Sequence, residues 1–283
     1  MLINVRCSIK IILEGGVTSC IPGQKMKVGI LGCGYIGKTL AEAIDKGIVN
    51  CDLTSVFDKD IEKAADLAHN LEKKPEVVRD IYGLIERTDL VIEAASQDAV
   101  REFGIRILRS GRDLMIMSVG ALSDDNFFTM IKEVAERKKQ RVYIPSGAIL
   151  GLDGLNSAKI ANLDSVTIIT RKNPESLGVS VNKETILYDG AVRNGIRKFP
   201  RNVNVAATLS LAGIGFEKTR LRIIADPKVK RNQHEIHVIG DFGEFSVSVN
   251  NNPSPENPRT SYLAALSAIA TLKNITEPIR IGN

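Results

Sequence analysis

The stretch that decides the fold is MKVGILGCGYIGKTLAEAIDKG, residues 26–47. It begins with a short apolar run, ending at Leu31, that is typical of a buried strand. A glycine-rich turn follows over residues 32–37, and apolar side chains then recur at the spacing of one helix face. Gly47 stands where such a helix would end. The stretch therefore predicts a strand, a tight turn and a helix in direct succession.

The three glycines of the turn have the spacing that holds the pyrophosphate of a dinucleotide. Gly32 allows the tight turn, Gly34 lets the backbone approach the pyrophosphate, and Gly37 permits close packing of helix on strand. A second apolar run ends at Asp58, 21 positions after Gly37, where an acid would bind the ribose hydroxyls. Because Asp58 would repel a 2′-phosphate, it favours NAD over NADP, although Lys59 beside it would weaken that preference.

The same residues satisfy a second phosphate motif, GxxxxGK followed by Ser or Thr. In this P-loop interpretation Lys38 would contact the β- and γ-phosphates and Thr39 would bind magnesium. Bulky Tyr35 and Ile36 suit a dinucleotide turn better than a loop wrapped around a triphosphate. Only the dinucleotide interpretation requires an acid at the end of the second strand. We therefore favour it, and we add Tyr35 and Ile36 to the cofactor-binding candidates.

Strand and helix patterns then alternate for some 120 residues. The predicted elements are strands at 89–95, 114–119 and 141–144 and helices at 97–110 and 125–138. This alternation predicts an α/β fold with a Rossmann-type, doubly wound parallel sheet. Ligands bind at the carboxyl ends of such strands. Ala95 and Ala121 lie at two of these ends, among small residues that leave room for a cofactor, and are further candidates.

The alternation stops at residues 145–154, a segment rich in Gly, Pro and Ser that marks a domain boundary. Beyond it, strand-like runs dominate and predict a second α+β domain with a mixed or antiparallel sheet. An Ala- and Leu-rich helix begins near Thr260. Met26 is a second candidate start, and our hypothesis is that residues 1–25 are an extension or follow from a misplaced start. We expect an N-terminal extension at 1–25, a dinucleotide-binding domain at 26–145, a substrate domain at 146–259 and a C-terminal helix at 260–283.

Composition places the chain among globular proteins. Its 283 residues are 43% hydrophobic and 25% charged, which sets aside global disorder, collagen and coiled coil. The net charge of +5 is too small to indicate a nucleic-acid partner. No window approaches the apolar length of a membrane span. The four cysteines lack the close pairs of zinc sites, so we expect reduced thiols, a cytoplasmic protein and no metal site.

The positive excess lies wholly in the second part of the chain. Residues 1–150 hold 21 Lys and Arg against 21 Asp and Glu, whereas residues 151–283 hold 17 against 12. The densest basic stretch, residues 193–201, leads into a predicted helix of small residues. A helix N-terminus with a basic approach suits a carboxylate or phosphate. The alternative is a solvated basic turn.

The three histidines stand in different settings. We expect His69, in a helix rich in Lys and Glu, to lie on the surface. His234 and His237 belong to a strand-like segment, where their odd spacing puts them on opposite faces and excludes a shared metal. Histidine is the best general acid or base near neutral pH in this half of the chain, so either of the two is a catalytic candidate.

Several segments, in this order, resemble the L-aspartate dehydrogenase family, and the match runs from about Met26 to the C-terminus. The matching residues are 32–37, 118–122 (SVGAL), 145–148 (PSGA), 199–208 (FPRNVNVAAT), 225–227 (ADP), 232–236 (NQHEI) and 256–261 (ENPRTS). The ordered set is specific, whereas the glycine motif alone would be weak.

The resemblance implies oxidation of L-aspartate to iminoaspartate by NAD or NADP, followed by hydrolysis to oxaloacetate and ammonia. It also implies a role in supplying iminoaspartate to NAD biosynthesis. It makes His234 the acid/base residue and Ala148 and Asn204 cofactor contacts. In the family the C-terminal helix packs on the nucleotide domain, and the protein is a homodimer or a larger homo-oligomer. The two carboxylates of the substrate need basic partners, and our candidates are Lys198 and Arg201.

Three alternatives remain open from the sequence. Another reductase of this architecture, acting on dihydrodipicolinate or homoserine, would share the glycine turn but should lack residues 232–234 in this setting. A non-enzymatic NAD-sensing module would bind the dinucleotide and need no histidine. The P-loop NTPase is the third.

Overall fold

The first sheet carries the glycine turn at the carboxyl end of its first strand. In the computed structural model, which describes residues 25–200, 203–254 and 260–281, this sheet has six strands. They are β1 (Met26–Leu31), β2 (Cys51–Phe57), β3 (Glu76–Val77), β4 (Leu90–Glu93), β5 (Asp113–Ile116) and β6 (Val142–Tyr143). Their order is β3-β2-β1-β4-β5-β6 and every pairing is parallel. This confirms the predicted doubly wound sheet and places its switch point between β1 and β4.

Helices connect these strands, and all but the third were predicted from the sequence. They are α1 (Tyr35–Asp45), α2 (Ile61–Asn70), α3 (Ile81–Glu86), α4 (Gln97–Arg109) and α5 (Asp125–Lys138), with a 3₁₀ turn at Val119–Ser123. Asp80, Ser96 and Asp124 cap α3, α4 and α5 by accepting a hydrogen bond from a first-turn N–H. At α1, by contrast, Gly34 is the N-cap residue and contributes no side chain.

The second sheet is mixed, which confirms the second part of the predicted fold class. Its strands are β7 (Leu163–Lys172), β8 (Thr185–Ala191), β9 (Arg220–Ala225), β10 (Asn232–Gly240) and β11 (Gly243–Asn251). They lie in the order β11-β10-β7-β9-β8, with β7 and β9 parallel and the other neighbours antiparallel. Its helices are α6 (Leu152–Ala158), α7 (Pro174–Leu177), α8 (Val192–Lys198) and α9 (Asn204–Ala212).

Four of these elements were not predicted from the sequence: β8, α6, α7 and α8. Strand β8 forms one edge of the second sheet and, in the described part of the chain, pairs with β9 alone. Helix α8 contains most of the basic stretch at residues 193–201, for which a solvated turn was the alternative interpretation. Val192 and Ile196 are buried on one face of α8, and Arg197 and Lys198 are exposed. The tertiary environment therefore determines its conformation more than its local composition does.

The last helix, α10 (Tyr262–Thr276), returns to the first sheet. Ala268 and Leu272 are fully buried in the same hydrophobic cluster as Val28 and Leu40 of the first sheet and α1. After forming the second sheet, the chain thus returns to the first sheet, against which α10 packs. Of the predicted extension at 1–25, residues 1–24 lie outside the described part of the chain. None of the helices in that part has the length and apolar character needed to cross a membrane.

Candidate active site

The glycine turn between β1 and α1 is closely packed at two of its glycines and open at the third. Gly32 has a φ of +103°, and a Cβ there would lie 2.7 Å from the backbone of Ala94 and Ala95. A Cβ on Gly37 would overlap the carbonyl oxygen of Gly32. A Cβ on Gly34 would meet no atom within 4 Å. The turn thus leaves its open side at Gly34, where a close approach to a pyrophosphate was predicted.

Asp58 fixes the conformation of this turn from the neighbouring strand. Its carboxylate accepts a hydrogen bond of 2.7 Å from the N–H of Cys33 and one of 3.0 Å from the N–H of Asp60. Asp58 is half-buried at the end of β2, beside the turn, as a ribose-binding acid requires. Gly34 leaves the turn open, and the N-terminus of α1 has no side-chain cap. Together with Asp58, these features fit a dinucleotide.

The P-loop alternative gains no support from the turn. The hydroxyl of Thr39 donates a hydrogen bond of 2.8 Å to the carbonyl of Tyr35, one turn earlier in the same helix. In the P-loop interpretation this hydroxyl would instead bind magnesium. Thr39 therefore behaves as a residue of the first helical turn.

Glu93 is a buried carboxylate at the end of β4 that the sequence interpretation overlooked. Its oxygens accept hydrogen bonds from the N–H of Ala95 at 2.8 Å and from the N–H and hydroxyl of Ser118 at 3.0 and 2.8 Å. Burial raises the pKa of Glu93, and the hydrogen bonds from Ser118 oppose that rise. The side chain thereby ties together the chain segments that leave β4 and β5 beside the switch point.

We expect Glu93→Ala to lower the free energy of unfolding by about 2–4 kcal/mol, because it leaves two backbone N–H groups without their acceptor. Urea unfolding followed by circular dichroism measures the change. Glu102→Ala, which alters an exposed residue of α4, is the matched control. Equal midpoints for the two variants would contradict the structural role of Glu93.

A small cavity of about 120 Å³ lies where the two sheets and α10 meet. Residues from seven separate segments of the sequence line it. They are Ile36, Met117, Val119, Pro145, Gly147, Ala148, Lys172, Asn204, Val205, Thr208, His234, Thr260, Ser261 and Ala264. Ile36 belongs to the glycine turn, so the cavity adjoins the dinucleotide site. The predicted residues Ala148, Asn204 and His234 all reach it.

His234 lies on the inner face of β10 and is only 2% exposed. Its Nδ1 is 3.0 Å from the hydroxyl of Thr170 on β7. Burial, together with the positive charge of Lys172, lowers the pKa of His234 to about 3, so the ring is neutral at neutral pH. His237 points to the other face and bonds to Ser246. The predicted strand and the opposite orientations of the two histidines are confirmed.

Lys172 is the cavity residue that the sequence interpretation missed. It is the last residue of β7 and is 5% exposed, and burial lowers the pKa of its ammonium to about 8. A usable signal was present, because alternate positions Val166, Ile168 and Thr170 lead by strand periodicity to Lys172 on the buried face.

Of the remaining cofactor candidates, Ala95 and Asn204 line a cavity and Ala121 does not. Asn204 begins α9, and its side-chain oxygen accepts a hydrogen bond of 3.2 Å from the N–H of Gly120. Asn204 also lines a second, open cavity of about 1110 Å³ that includes Ala95 and Ser118. Ala121, by contrast, is fully buried in the hydrophobic core and lines neither cavity. Its contact with the cofactor stays a prediction.

The structure describes one of the two predicted substrate residues. Lys198 is exposed at the end of α8, its ammonium lies 5.6 Å from the ring centre of Tyr188, and it lines neither of these cavities. Its position follows from the helix, whose buried face carries Val192 and Ile196 instead. We therefore expect no direct contact between Lys198 and the substrate. Arg201 lies outside the described residues.

The basic stretch also contributes to the junction between the two halves. Arg193 on α8 forms ion pairs with Asp125 at 2.9 Å and with Glu217, and it donates to the carbonyl of Ser123. Gln97 at the start of α4 donates a hydrogen bond of 2.9 Å to the carbonyl of Pro200. Part of the positive excess of the second half therefore pairs with acids.

The parallel sheet, its glycine turn and the interdomain cavity with a buried histidine define a dinucleotide-dependent oxidoreductase. Two family models divide the chain between them: "Homoserine dehydrogenase, NAD binding domain" over residues 32–145 and "Aspartate dehydrogenase, C-terminal" over residues 153–275.

Alignments with named relatives cover almost the whole chain. The L-aspartate dehydrogenase of Methanosarcina barkeri is 48% identical over 269 residues, covering 91% of this chain and 99% of the relative. That of Nitrosopumilus maritimus is 40% identical over 270 residues, covering 90% and 99%. The crystal structure of aspartate dehydrogenase from Thermotoga maritima matches with a TM-score of 0.73 at 30% identity, covering 91% and 99%. The chain belongs to the L-aspartate dehydrogenase family.

Proposed function

We propose that this protein oxidises L-aspartate to iminoaspartate with NAD or NADP, and that iminoaspartate then hydrolyses to oxaloacetate and ammonia. The observation that carries the proposal is the single cavity lined by Ile36 of the glycine turn and by His234 of the second sheet. A dehydrogenase must hold the substrate carbon next to the nicotinamide. The names of the relatives supply the substrate.

The dinucleotide would be held along the carboxyl ends of the first sheet. The turn from Gly32 to Gly37, with Tyr35, would bind the pyrophosphate, and Asp58 the adenosine ribose. Ala95, Ala148 and Asn204 would contact the half that reaches the cavity. When bound, the dinucleotide supplies the nicotinamide ring that accepts the hydride. Asp58 makes NAD the expected better acceptor, since its charge repels a 2′-phosphate.

His234 would serve as the base that takes a proton from the substrate amine as the imine forms. The ring is neutral, which a base requires, and Nδ1 faces the Thr170 hydroxyl. For Nε2 to accept the proton, Nδ1–H must donate to the Thr170 hydroxyl. A low pKa makes a weak base, but a dicarboxylate bound beside His234 would raise that pKa by stabilising the imidazolium. The same residue would activate water for attack on the imine.

We further propose that the enzyme acts in the cytoplasm as a homodimer or larger homo-oligomer, with no membrane or nucleic-acid partner, and supplies iminoaspartate to NAD biosynthesis. Cys33 and Cys51 are free thiols, which suits a reducing compartment. We also propose that residues 26–145 bind the dinucleotide together with α10 and that residues 146–259 bind the substrate. Sedimentation of the purified protein measures the oligomeric state.

The direct test mixes purified protein with L-aspartate and either NAD or NADP and follows the absorbance of the reduced nicotinamide. We expect reduction with L-aspartate, faster with NAD, and the reverse reaction with oxaloacetate and ammonia. L-homoserine and dihydrodipicolinate serve as alternative substrates. Turnover of either in preference to aspartate would replace the proposed substrate. Binding of NADH without any turnover would identify a sensing module instead.

A further inference from the structure

The inner face of the second sheet changes from apolar to polar along its length. On β7 it carries Val166 and Ile168, then Thr170 and Lys172, all no more than 5% exposed. On β10, His234 pairs with Thr170 in the antiparallel register, so the two strands present their polar side chains at the same end. That end is the one that faces the cavity.

Lys172 gives this cavity its charge. Among the described residues that line it, Lys172 is the one with an ammonium or guanidinium group, and none of them is Asp or Glu. His234 is neutral in this setting. An anion entering the cavity would therefore meet a cation, and none of the described residues that line the cavity carries a negative charge.

Burying a lysine in this position is unfavourable for folding alone, because its ammonium loses most of its hydration. The apolar residues Val166 and Ile168 occupy equivalent inner positions of β7, so an apolar side chain would fit the pattern of the strand. Buried ionisable groups that line clefts and carry perturbed pKa values are frequent at functional sites. Lys172 and His234 meet this description together, on neighbouring strands.

We propose that Lys172 binds a carboxylate of the substrate and makes the cavity selective for dicarboxylic amino acids. The inference rests on the proposed oxidation of aspartate, for which it names the substrate-binding cation. It moves this role from the exposed Lys198 to a buried residue that lines the same cavity as the base. A charge-assisted hydrogen bond in such a dry site is stronger than one at the surface.

Lys172 would also couple substrate binding to the base. Its positive charge is one cause of the low pKa of His234. A carboxylate bound to Lys172 offsets that charge, so the pKa of His234 should rise when a dicarboxylate binds. The base would then gain strength only with substrate in place.

The test compares Lys172→Met and Lys172→Gln with Lys172→Arg and with Lys218→Met, an exposed control in the same half of the chain. Steady-state kinetics gives KM and kcat for L-aspartate, and calorimetry gives the Kd of succinate, an unreactive dicarboxylate, for the protein with bound NADH. We expect the Met and Gln variants to raise KM and the succinate Kd on the order of 10–100-fold, with a smaller change in kcat. The Arg variant should recover part of the affinity.

The proposal is overturned if either neutral variant, with normal NADH binding, keeps the wild-type KM and succinate Kd. A fall in kcat at unchanged KM would assign Lys172 to proton transfer and would also overturn it. If the wild-type protein fails to oxidise aspartate while succinate binding still depends on Lys172, the proposed function fails and the dicarboxylate site stands. Lys218→Met should match the wild type in every measurement.

Discussion

Replacing His234 by alanine is expected to lower kcat for L-aspartate on the order of 10²–10⁴-fold, the usual contribution of a positioned acid or base. The ring is buried in the cavity, its Nδ1 is 3.0 Å from Thr170, and the side chain belongs to the second sheet, whereas the glycine turn belongs to the first. The affinity for NADH should therefore stay within about twofold of wild type, a difference well under 1 kcal/mol.

Stopped-flow or steady-state turnover, with NADH fluorescence for binding, separates the two effects. His237→Ala is the matched control, because His237 lies on the same strand but faces outward and bonds to Ser246. It should turn over at close to the wild-type rate. If His234→Ala also turned over at that rate, His234 could not be the base. If His237→Ala lost activity and His234→Ala did not, His237 rather than His234 would be the base.

The second large effect is expected at the glycine turn, where alanine substitutions of two glycines should differ in their effects on stability and on NADH binding. Gly37→Ala places a Cβ on the carbonyl oxygen of Gly32, so helix α1 must move away from β1. We expect a loss of about 2–4 kcal/mol in the free energy of unfolding and a loss of measurable NADH binding. Gly34→Ala meets no protein atom within 4 Å, so stability should hold while NADH affinity falls.

Thermal unfolding and NADH titration of both variants check this contrast. Gly154→Ala is the control for the substitution itself, because a Cβ there lies 3.9 Å from the Phe245 ring, an ordinary contact within α6. It should leave NADH affinity unchanged and raise the free energy of unfolding by up to about 1 kcal/mol, since alanine has the higher helix propensity. Full NADH affinity in Gly34→Ala would show that the open side of the turn does not face the dinucleotide.

The core of the dinucleotide-binding half was predictable because its signals are local. A glycine with a φ of +103° at Gly32, the excluded side chain at Gly37 and the acid at Asp58 each depend on residues close in sequence or on adjacent strands. The alternation of strand and helix patterns likewise arises from short-range periodicity. The mixed sheet was recognisable from its strand runs, although its edge strand β8 was not.

The residues of the cavity were predictable only in part. His234, Ala148 and Asn204 were identified through the family resemblance, and all three line the cavity. Glu93 and Lys172 were missed because a charged residue in a strand gives no local sign of which neighbours will surround it. Lys198 was selected for its basic neighbourhood, yet helix α8 leaves it exposed beside Tyr188.

The sequence by itself determined the strand–turn–helix that opens at Met26, the parallel sheet built from it and the family to which the chain belongs. The tertiary structure alone decided which cation lines the candidate site. The +5 charge is a sum over the whole chain, and part of it pairs with acids, as Arg193 does. Whether a charge acts on a substrate depends on its burial and on which residues line the cavity around it, and these residues come from segments far apart in sequence. Only folding brings Lys172 and His234 into one cavity beside Ile36.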